Sequence, residues 1–330
     1  MQKYKILKDV LDFAKNKLYK FDIETPNLDI AILASEAFGL SKIQLVTKEY
    51  VSFEKLNISD NQIQDFLYFI GLRCKKNSIS EILGIKNFYG LDFIITKDVL
   101  TPRPETEILV ENFTNYILEY LDKKTDEKVD NINKKIKIID IGTGSGCIAV
   151  SVAKILEKKI IKKNYALEII ACDISEKALS IAKKNIEKHE VSHIIKTQKS
   201  DLLKNIIKND KKFLENSFII TNLPYIPEED QKIMSEEVLS GDPNLALFSG
   251  KTGTDLYKKL FENLFKQSSN FFEINSCFFE FDSGVLSVEN NTGKNYQKDY
   301  YKKLLNNNNN INIDFFSDYA DCERFGKILF

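Results

Sequence analysis

Apolar residues in the first twenty positions recur as Ile6, Leu7, Val10, Leu11, Ala14 and Leu18, with lysines between them. A period of roughly 3.6 residues predicts an amphipathic helix. It returns through Leu28 to Phe38 and through Ile63 to Leu72, and no glycine precedes Gly39. Residues 1–85 are therefore expected to form a small all-helical domain. In Phe88-Tyr89-Gly90-Leu91-Asp92-Phe93-Ile94-Ile95 the pattern shortens to alternating runs, which predicts a hairpin within a linker over 86–104 that joins two domains. From 105 to 330, apolar runs alternate with helical periods. Strands are expected over Ile136–Ile141, Glu168–Cys172, Ile194–Thr197, Phe218–Thr221 and Asn275–Phe281, and helices over Cys147–Ile160, Glu176–Lys188, Glu229–Met234 and Asp255–Phe265. That alternation predicts an α/β fold with an open, mostly parallel sheet covered on both faces. The polar stretch Lys123–Asn133 precedes it, and the five-asparagine run Asn306–Asn310 reads as a loop between two last strands near Ile311–Phe316 and Gly326–Phe330.

With 330 residues, 43% hydrophobic and 29% charged, the chain has the composition of a soluble two-domain globular protein. Its 47 Lys and Arg against 48 Asp and Glu give bulk charge no part in attracting nucleic acid. The five cysteines lie far apart with no C-x-x-C pair, favouring neither a metal site nor a disulfide scaffold. His189 and His193, four apart among charged residues, read as solvated, so a histidine base is not expected. The N-terminal helix lacks both a signal-peptide core and a span of about 20 apolar residues. A soluble, cytoplasmic monomer without membrane contact is the expectation.

The candidate chemistry begins where Phe218-Ile219-Ile220 stops, at Thr221-Asn222-Leu223-Pro224-Tyr225-Ile226-Pro227. The Asn222 side-chain carbonyl and the Leu223 backbone carbonyl offer two acceptors for the hydrogens of one planar NH₂ group, and Tyr225 offers a face to stack on it. A conjugated nitrogen is a poor nucleophile until oriented, and alignment alone can supply roughly 7–11 kcal/mol. The same residues also fit a turn that Asn caps and Pro stiffens.

Earlier, Ile138-Ile139-Asp140-Ile141-Gly142-Thr143-Gly144-Ser145-Gly146-Cys147 runs a strand into glycines and then a helix. The spacing is G-x-G-x-G, not the dinucleotide fingerprint, and no phosphate-loop lysine follows, which fits a cofactor without phosphates. Asp173 ends the next strand, where a carboxylate can accept both hydroxyls of a ribose. Asp201 follows the third strand and can accept from an adenine amine. Each acid alone also fits a helix cap or a turn; three at successive strand ends favour a site. Leu100-Thr101-Pro102-Arg103-Pro104-Glu105-Thr106-Glu107 reads either as a rigid linker opening a capped helix or as a wall of the substrate pocket that brings Arg103 to the substrate.

Asp140 to Gly146, Asp173 and Asn222 to Tyr225 together resemble S-adenosylmethionine-dependent amino-methyltransferases. Thr101 to Glu107, the Phe88-Tyr89-Gly90 hairpin, the helical N-terminus and Asp242-Pro243 with Ala246-Leu247, Gly250 and Asp255-Leu256-Tyr257 narrow this to the release-factor glutamine methyltransferases (PrmC, also called HemK). The resemblance implies a Rossmann-like class I methyltransferase domain and S-adenosyl-L-methionine as cofactor. It implies methylation of the glutamine amide in the Gly-Gly-Gln loop of peptide-chain release factors, with the helical domain helping to dock them and no direct nucleic-acid binding. By position, Gly142, Thr143, Gly144, Ser145 and Gly146 wrap the methionine part of the cofactor and Asp173 holds the ribose. Asp201 with Leu202 lies beside the adenine, Asn222 borders the cofactor as well as the substrate, and Asn222, Leu223, Pro224 and Tyr225 grip the amide. Two departures stand out. The family usually has Asn-Pro-Pro-Tyr where Leu223 occurs, and Phe279-Glu280-Phe281-Asp282 stands where a Glu is often followed closely by glycine. Asn-Leu-Pro-Tyr is also similar to the motif of RNA adenine dimethyltransferases, which leaves RNA adenine methylation as the alternative. The acidic Glu228, Glu229 and Asp230 nearby speak against it.

Overall fold

The computed structural model describes residues 4–124, 134–209, 211–268, 274–282, 296–306 and 311–330. Five helices come first: α1 (Leu7–Lys20), α2 (Pro26–Phe38), α3 (Lys42–Thr47), α4 (Asp60–Arg73) and α5 (Ile79–Leu83). Strands β1 (Ile85–Phe88) and β2 (Leu91–Ile94) follow, then α6 (Thr106–Lys124), β3 (Lys135–Ile141), α7 (Cys147–Ile161), β4 (Ala166–Asp173), α8 (Glu176–Lys188) and β5 (Ile195–Lys199). Beyond them lie α9 (Lys204–Asn209), α10 (Lys211–Leu214), β6 (Ser217–Thr221), a 3₁₀ turn (Glu228–Lys232), α11 (Glu236–Gly241), α12 (Asn244–Leu247) and α13 (Asp255–Ser268). The described chain ends with β7 (Ser276–Glu280), α14 (Tyr296–Asn306), β8 (Asn312–Ser317) and β9 (Glu323–Leu329).

Two compact units result, Met1–Ile85 with Ser235–Gly241, and Lys86–Met234 with Asp242–Phe330. In the first, α3, α4 and α5 each start at a serine (Ser41, Ser59, Ser78) whose hydroxyl accepts from the N–H three residues on. The side chains of Gln44, Gln62 and Glu81 return the bond to the serine N–H, satisfying helix ends that packing alone would leave open. Left-handed Gly39 and Gly84 stop α2 and α5. The apolar stripes of α1, α2 and α4 close a core through Val10, Leu33, Phe38 and Phe66. Buried Arg73 ties α4 to Asp29 of α2 (2.6 Å) and to Glu237 of α11 (2.9 Å).

The second unit carries a seven-stranded sheet in the order β5-β4-β3-β6-β7-β9-β8. The first five strands pair in parallel and β9 pairs antiparallel with β7 and β8. Every residue of β6 and β7 is buried, as strands covered on both faces require. Side chains alternate between two cores. Ile138, Phe218, Ile220 and Phe278 pack with Phe113 and Ile117 of α6 and Leu156 of α7 on one face. Ile139, Ile219, Cys277 and Phe279 pack with Tyr257 and Phe261 of α13 and Tyr301 of α14 on the other.

Register then fixes the working edge. Ile141 pairs with Cys172 and with Thr221, Asp173 with Lys199, and Thr221 with Phe279. Gly142, Asp173, Ser200, Asn222 and Glu280 therefore reach the same end of the sheet, beside β3 and β6, from which the strand order runs outward in both directions. Such a switch point opens a crevice beyond the carboxyl ends of the strands.

The hairpin between β1 and β2 turns on Tyr89 and Gly90, both at positive φ (52° and 72°), the backbone of a tight two-residue connection. The expected helix at Glu229–Met234 is instead the short 3₁₀ turn. Asn306 closes α14 and so precedes both last strands, while Asn307–Asn310 lie outside the described residues. The connection between β8 and β9 is 318–322, where the Asp318 carboxylate accepts from the N–H of Ala320 and Cys322. Of the polar stretch, Lys123 and Lys124 extend α6, and 125–133 lie outside the described residues. Among the described residues no helix is long and apolar enough to cross a membrane, and no His, Cys, Asp or Glu group forms a metal cluster.

Candidate active site

A cavity of about 260 Å³ lies at this edge, within the second unit. Gly142, Thr143, Gly144, Ser145, Asp173, Asp201 and Leu202 line one part of it; Arg103, Thr106, Asn222, Leu223 and Pro224 line another. Gly146 and Tyr225, both expected at the site, are not among the lining residues.

Gly146 backs away for a packing reason. It caps α7 at φ 81°, and a Cβ there would meet Ala182 of α8 at 3.3 Å, so this glycine admits helix to helix. Gly142 serves a close approach of its own, since a Cβ would lie 2.9 Å from the Leu223 side chain. Only at Gly144 (φ 53°) would a Cβ meet open space, with the Gly142 carbonyl at 4.0 Å its nearest neighbour. The N–H groups of Gly142 and Thr143 both donate to the Cys172 carbonyl at 2.9 Å. Fully buried Asp140 accepts from the Thr143 hydroxyl (2.6 Å) and the Ala149 N–H (3.2 Å), so it bolts the loop to α7 and leaves the ligand-facing role to Asp173. Burial pushes the Asp140 carboxyl from 3.8 up to about 7. Asn185 of α8, which nothing in the sequence singles out, donates to the carbonyls of Ser145 (2.8 Å) and Ile94 (2.9 Å) and accepts from the Ile94 N–H (2.8 Å). It holds loop and hairpin together.

Asp173 accepts one N–H on each oxygen, from Gly144 (3.0 Å) and from Ser175 (2.9 Å). Each oxygen keeps a lone pair for a hydroxyl. Burial raises its pKa, and those backbone donors oppose the rise. The lining fits the cofactor that the resemblance implies. A glycine leaves space where S-adenosylmethionine would pass, a bidentate acceptor awaits a ribose diol, and Ile174 and Leu202 supply apolar walls. The buried Ser145 hydroxyl, beside the Cys147 thiol, is a further polar atom at the same wall. Acids outnumber the single lining cation, Arg103, which suits a sulfonium better than a phosphate.

Behind the second part of the cavity, bonded to its lining residues Thr106 and Asn222, stands Glu280, at the end of β7 and 1% exposed. Its Oε2 accepts from the Thr106 hydroxyl (2.7 Å) and from Asn222 Nδ2 (3.0 Å), and its Oε1 accepts from the Tyr225 hydroxyl (2.9 Å). Asn222 Nδ2 also donates to Thr106 Oγ1 at 3.1 Å. The Asn222 amide nitrogen thus points at two acceptors that are themselves 2.7 Å apart, while Oδ1 has no partner among the described residues. Tyr225 stands behind Asn222 as a prop for Glu280, which accounts for its absence from the lining. Burial and the neighbouring carboxylate push its phenol well above 10, so it stays protonated. Leu223 donates its N–H to the hydroxyl of buried Tyr257 at 3.0 Å.

The segment Thr101–Glu107 acts through its side chains as well as its prolines. Asp242 accepts from the Thr101 N–H (2.8 Å) and pairs with Arg103 Nη2, so Arg103 lines the cavity with its charge partly engaged. Glu107 accepts from the Tyr89 N–H (2.8 Å), and Thr106 joins Glu280. Thr106, Tyr257 and Glu280 stood in the sequence only inside quoted motifs, without roles of their own, and Asn185 carried no signal at all.

Comparison with known proteins agrees with this geometry. Residues 110–245 match the family of the methyltransferase small domain. The release factor glutamine methyltransferase of Clostridium acetobutylicum is 32% identical over 255 residues, 77% of this chain and 79% of that protein. A bifunctional methyltransferase of Rickettsia typhi is 32% identical over 266 residues, 78% of this chain; the chain spans about half, 47%, of that longer relative. Among solved structures, the catalytic domain of human METTL16, crystallised with MAT2A 3'UTR hairpin 1, superposes with a TM-score of 0.50 at 16% identity. The superposition covers 91% of this chain and 90% of that one, a likeness of fold.

Proposed function

Because the chain belongs to the release factor glutamine methyltransferase family, whose methyl donor is S-adenosylmethionine, we propose that it methylates the side-chain amide nitrogen of the glutamine in the Gly-Gly-Gln motif of peptide-chain release factors. The observation that carries this reading is the Asn222 carboxamide, whose N–H edge is held by Glu280 and Thr106 while its oxygen is left for the cavity that Gly144 also lines. Asn222 Oδ1 takes one hydrogen of the substrate amide and the Leu223 carbonyl takes the other, which orients the nitrogen lone pair toward the glycine loop. Positive charge developing on that nitrogen is met by two oxygen dipoles held in place before the reaction. The donor supplies a methyl group on a sulfonium, whose departing thioether needs no protein acid, and the methylated amide nitrogen releases one of its two hydrogens as a proton to solvent. Asp173 and the Gly142–Ser145 backbone hold the donor's sugar and tail, and Pro224 shapes the slot for the amide. The exposed apolar side chains of Ile43, Val46 and Tyr50 support a docking role for the helical unit. Exposed Glu228 and Glu229, just past Pro227, disfavour an RNA backbone there.

The test is methyl transfer from labelled S-adenosylmethionine to a release factor, to its loop variant with Gln replaced by Ala, and to ribosomal RNA. Label on the parent factor alone is expected. Equal label on the variant, or label on RNA that falls with salt, would remove glutamine as the acceptor.

A further inference from the structure

We propose that Glu280 is a positioning residue that decides which edge of the Asn222 carboxamide faces the acceptor, and thereby restricts the site to acceptors that bring a planar NH₂ group. The inference rests on the role given to Asn222 above. A carboxylate can only accept, and Glu280 collects three donors from two separate segments: Thr106 at the start of α6, and Asn222 and Tyr225 in the loop after β6. The Thr106 hydroxyl commits its hydrogen to Glu280, so toward Asn222 it can only accept. Turning the Asn222 amide by half a revolution would set its oxygen against two buried acceptors at once and lose both hydrogen bonds. The orientation is determined twice over, by groups that sequence places at either end of the second unit.

Two consequences follow from that polarity. Whatever binds at Oδ1 must donate, so a glutamine amide or an exocyclic amine is admitted and the isosteric carboxylate of glutamate is refused. Donation from Nδ2 to an anion also shifts electron density onto Oδ1, which strengthens that acceptor as the substrate nitrogen becomes positive. The gain is larger in the transition state than in the bound substrate, so Glu280 should be felt in kcat more than in KM.

The test is a two-residue cycle in the full chain, with S-adenosylmethionine and an unmodified release factor, or whichever acceptor the parent enzyme labels. Glu280→Gln is expected to lower kcat about 10- to 100-fold, the scale of losing one preorganised dipole, with KM for the acceptor and the dissociation constant of S-adenosylmethionine nearly unchanged. Asn222→Asp sets two carboxylates face to face and should lose more. Combined with Glu280→Gln, whose amide can donate to the new carboxylate, Asn222→Asp should recover about tenfold or more over the single variant, a non-additivity expected of direct neighbours. Thr106→Val should lower kcat while Thr106→Ser keeps it, which serves if the Glu280 variants unfold. A Glu280→Gln enzyme with parental kcat and only a lowered Tm, or a double variant no better than Asn222→Asp, would overturn the proposal. Because the cycle is run on whichever acceptor is labelled, an RNA substrate would defeat the glutamine assignment without touching this result.

Discussion

Leu223 occupies a position where a proline, as the family usually has, would carry no N–H. Here that N–H is buried and donates to the Tyr257 hydroxyl, so a hydrogen bond restrains the loop where a ring otherwise would. Tyr257→Phe should therefore cost about 1–3 kcal/mol, the penalty for an unpaired buried donor, and should cost much less alongside Leu223→Pro. Chemical denaturation of the four proteins measures the difference; equal losses in both backgrounds would separate Tyr257 from the loop. Asp140 gives a second prediction at this scale. Its carboxyl is raised from 3.8 to about 7 by burial, so between those values the folded state holds a proton that the unfolded chain has released. Stability from this group is greatest below pH 4 and falls as pH rises to about 7. Asp140→Asn keeps an oxygen for Thr143 and Ala149 and removes the charge. Its Tm should exceed the parent's at pH 8 by several degrees, with the gap narrowing as pH falls below 7 and closing near pH 4.

At the scale of elements, the β3–α7 loop shows what spacing can and cannot reveal. The apolar run, the glycines and the helical period after them mark a strand, a turn and a helix, and all three form where expected. Spacing does not distinguish a glycine that faces a ligand from one that faces a helix. Gly146→Ala, at positive φ and against Ala182, should lower stability by at least the roughly 1–2 kcal/mol of left-handed strain and leave donor affinity in the surviving fold unchanged. Gly144→Ala carries similar strain but points its methyl into the cavity, so calorimetry should find S-adenosylmethionine affinity lost beyond the change in Tm. The role of Glu280 was illegible for a different reason: its partners lie 174, 58 and 55 residues away, and no local pattern records contacts made only once the sheet has assembled. Asn185 was hidden similarly, since an asparagine inside a helix carries no sign that its bonds go to a hairpin and a loop.

Across the whole molecule, the chain assembles one edge from segments that are individually ordinary. The alternation of apolar runs and helical periods was enough to foresee a sheet covered on both faces. The antiparallel turn at 318–322 and the short helices between β5 and α13 were not foreseen, being set by side-chain bonds and packing rather than by periodicity. Asp242 shows how distant sequence stiffens the edge, as its carboxylate holds both Thr101 and Arg103. Arg103→Ala should leave that buried carboxylate with a single N–H donor, lowering stability by about 1–3 kcal/mol and raising KM for the protein substrate while donor affinity stays near parental. The central claim remains that Asn222 orients a planar nitrogen and does not hold the donor. Its most direct measurement is Asn222→Ala, with kcat for release-factor methylation and the dissociation constant of S-adenosylmethionine determined on the same preparation. A loss in kcat of about 10²- to 10³-fold with donor affinity within about threefold is predicted; parallel losses in both, or a parental kcat, would contradict it.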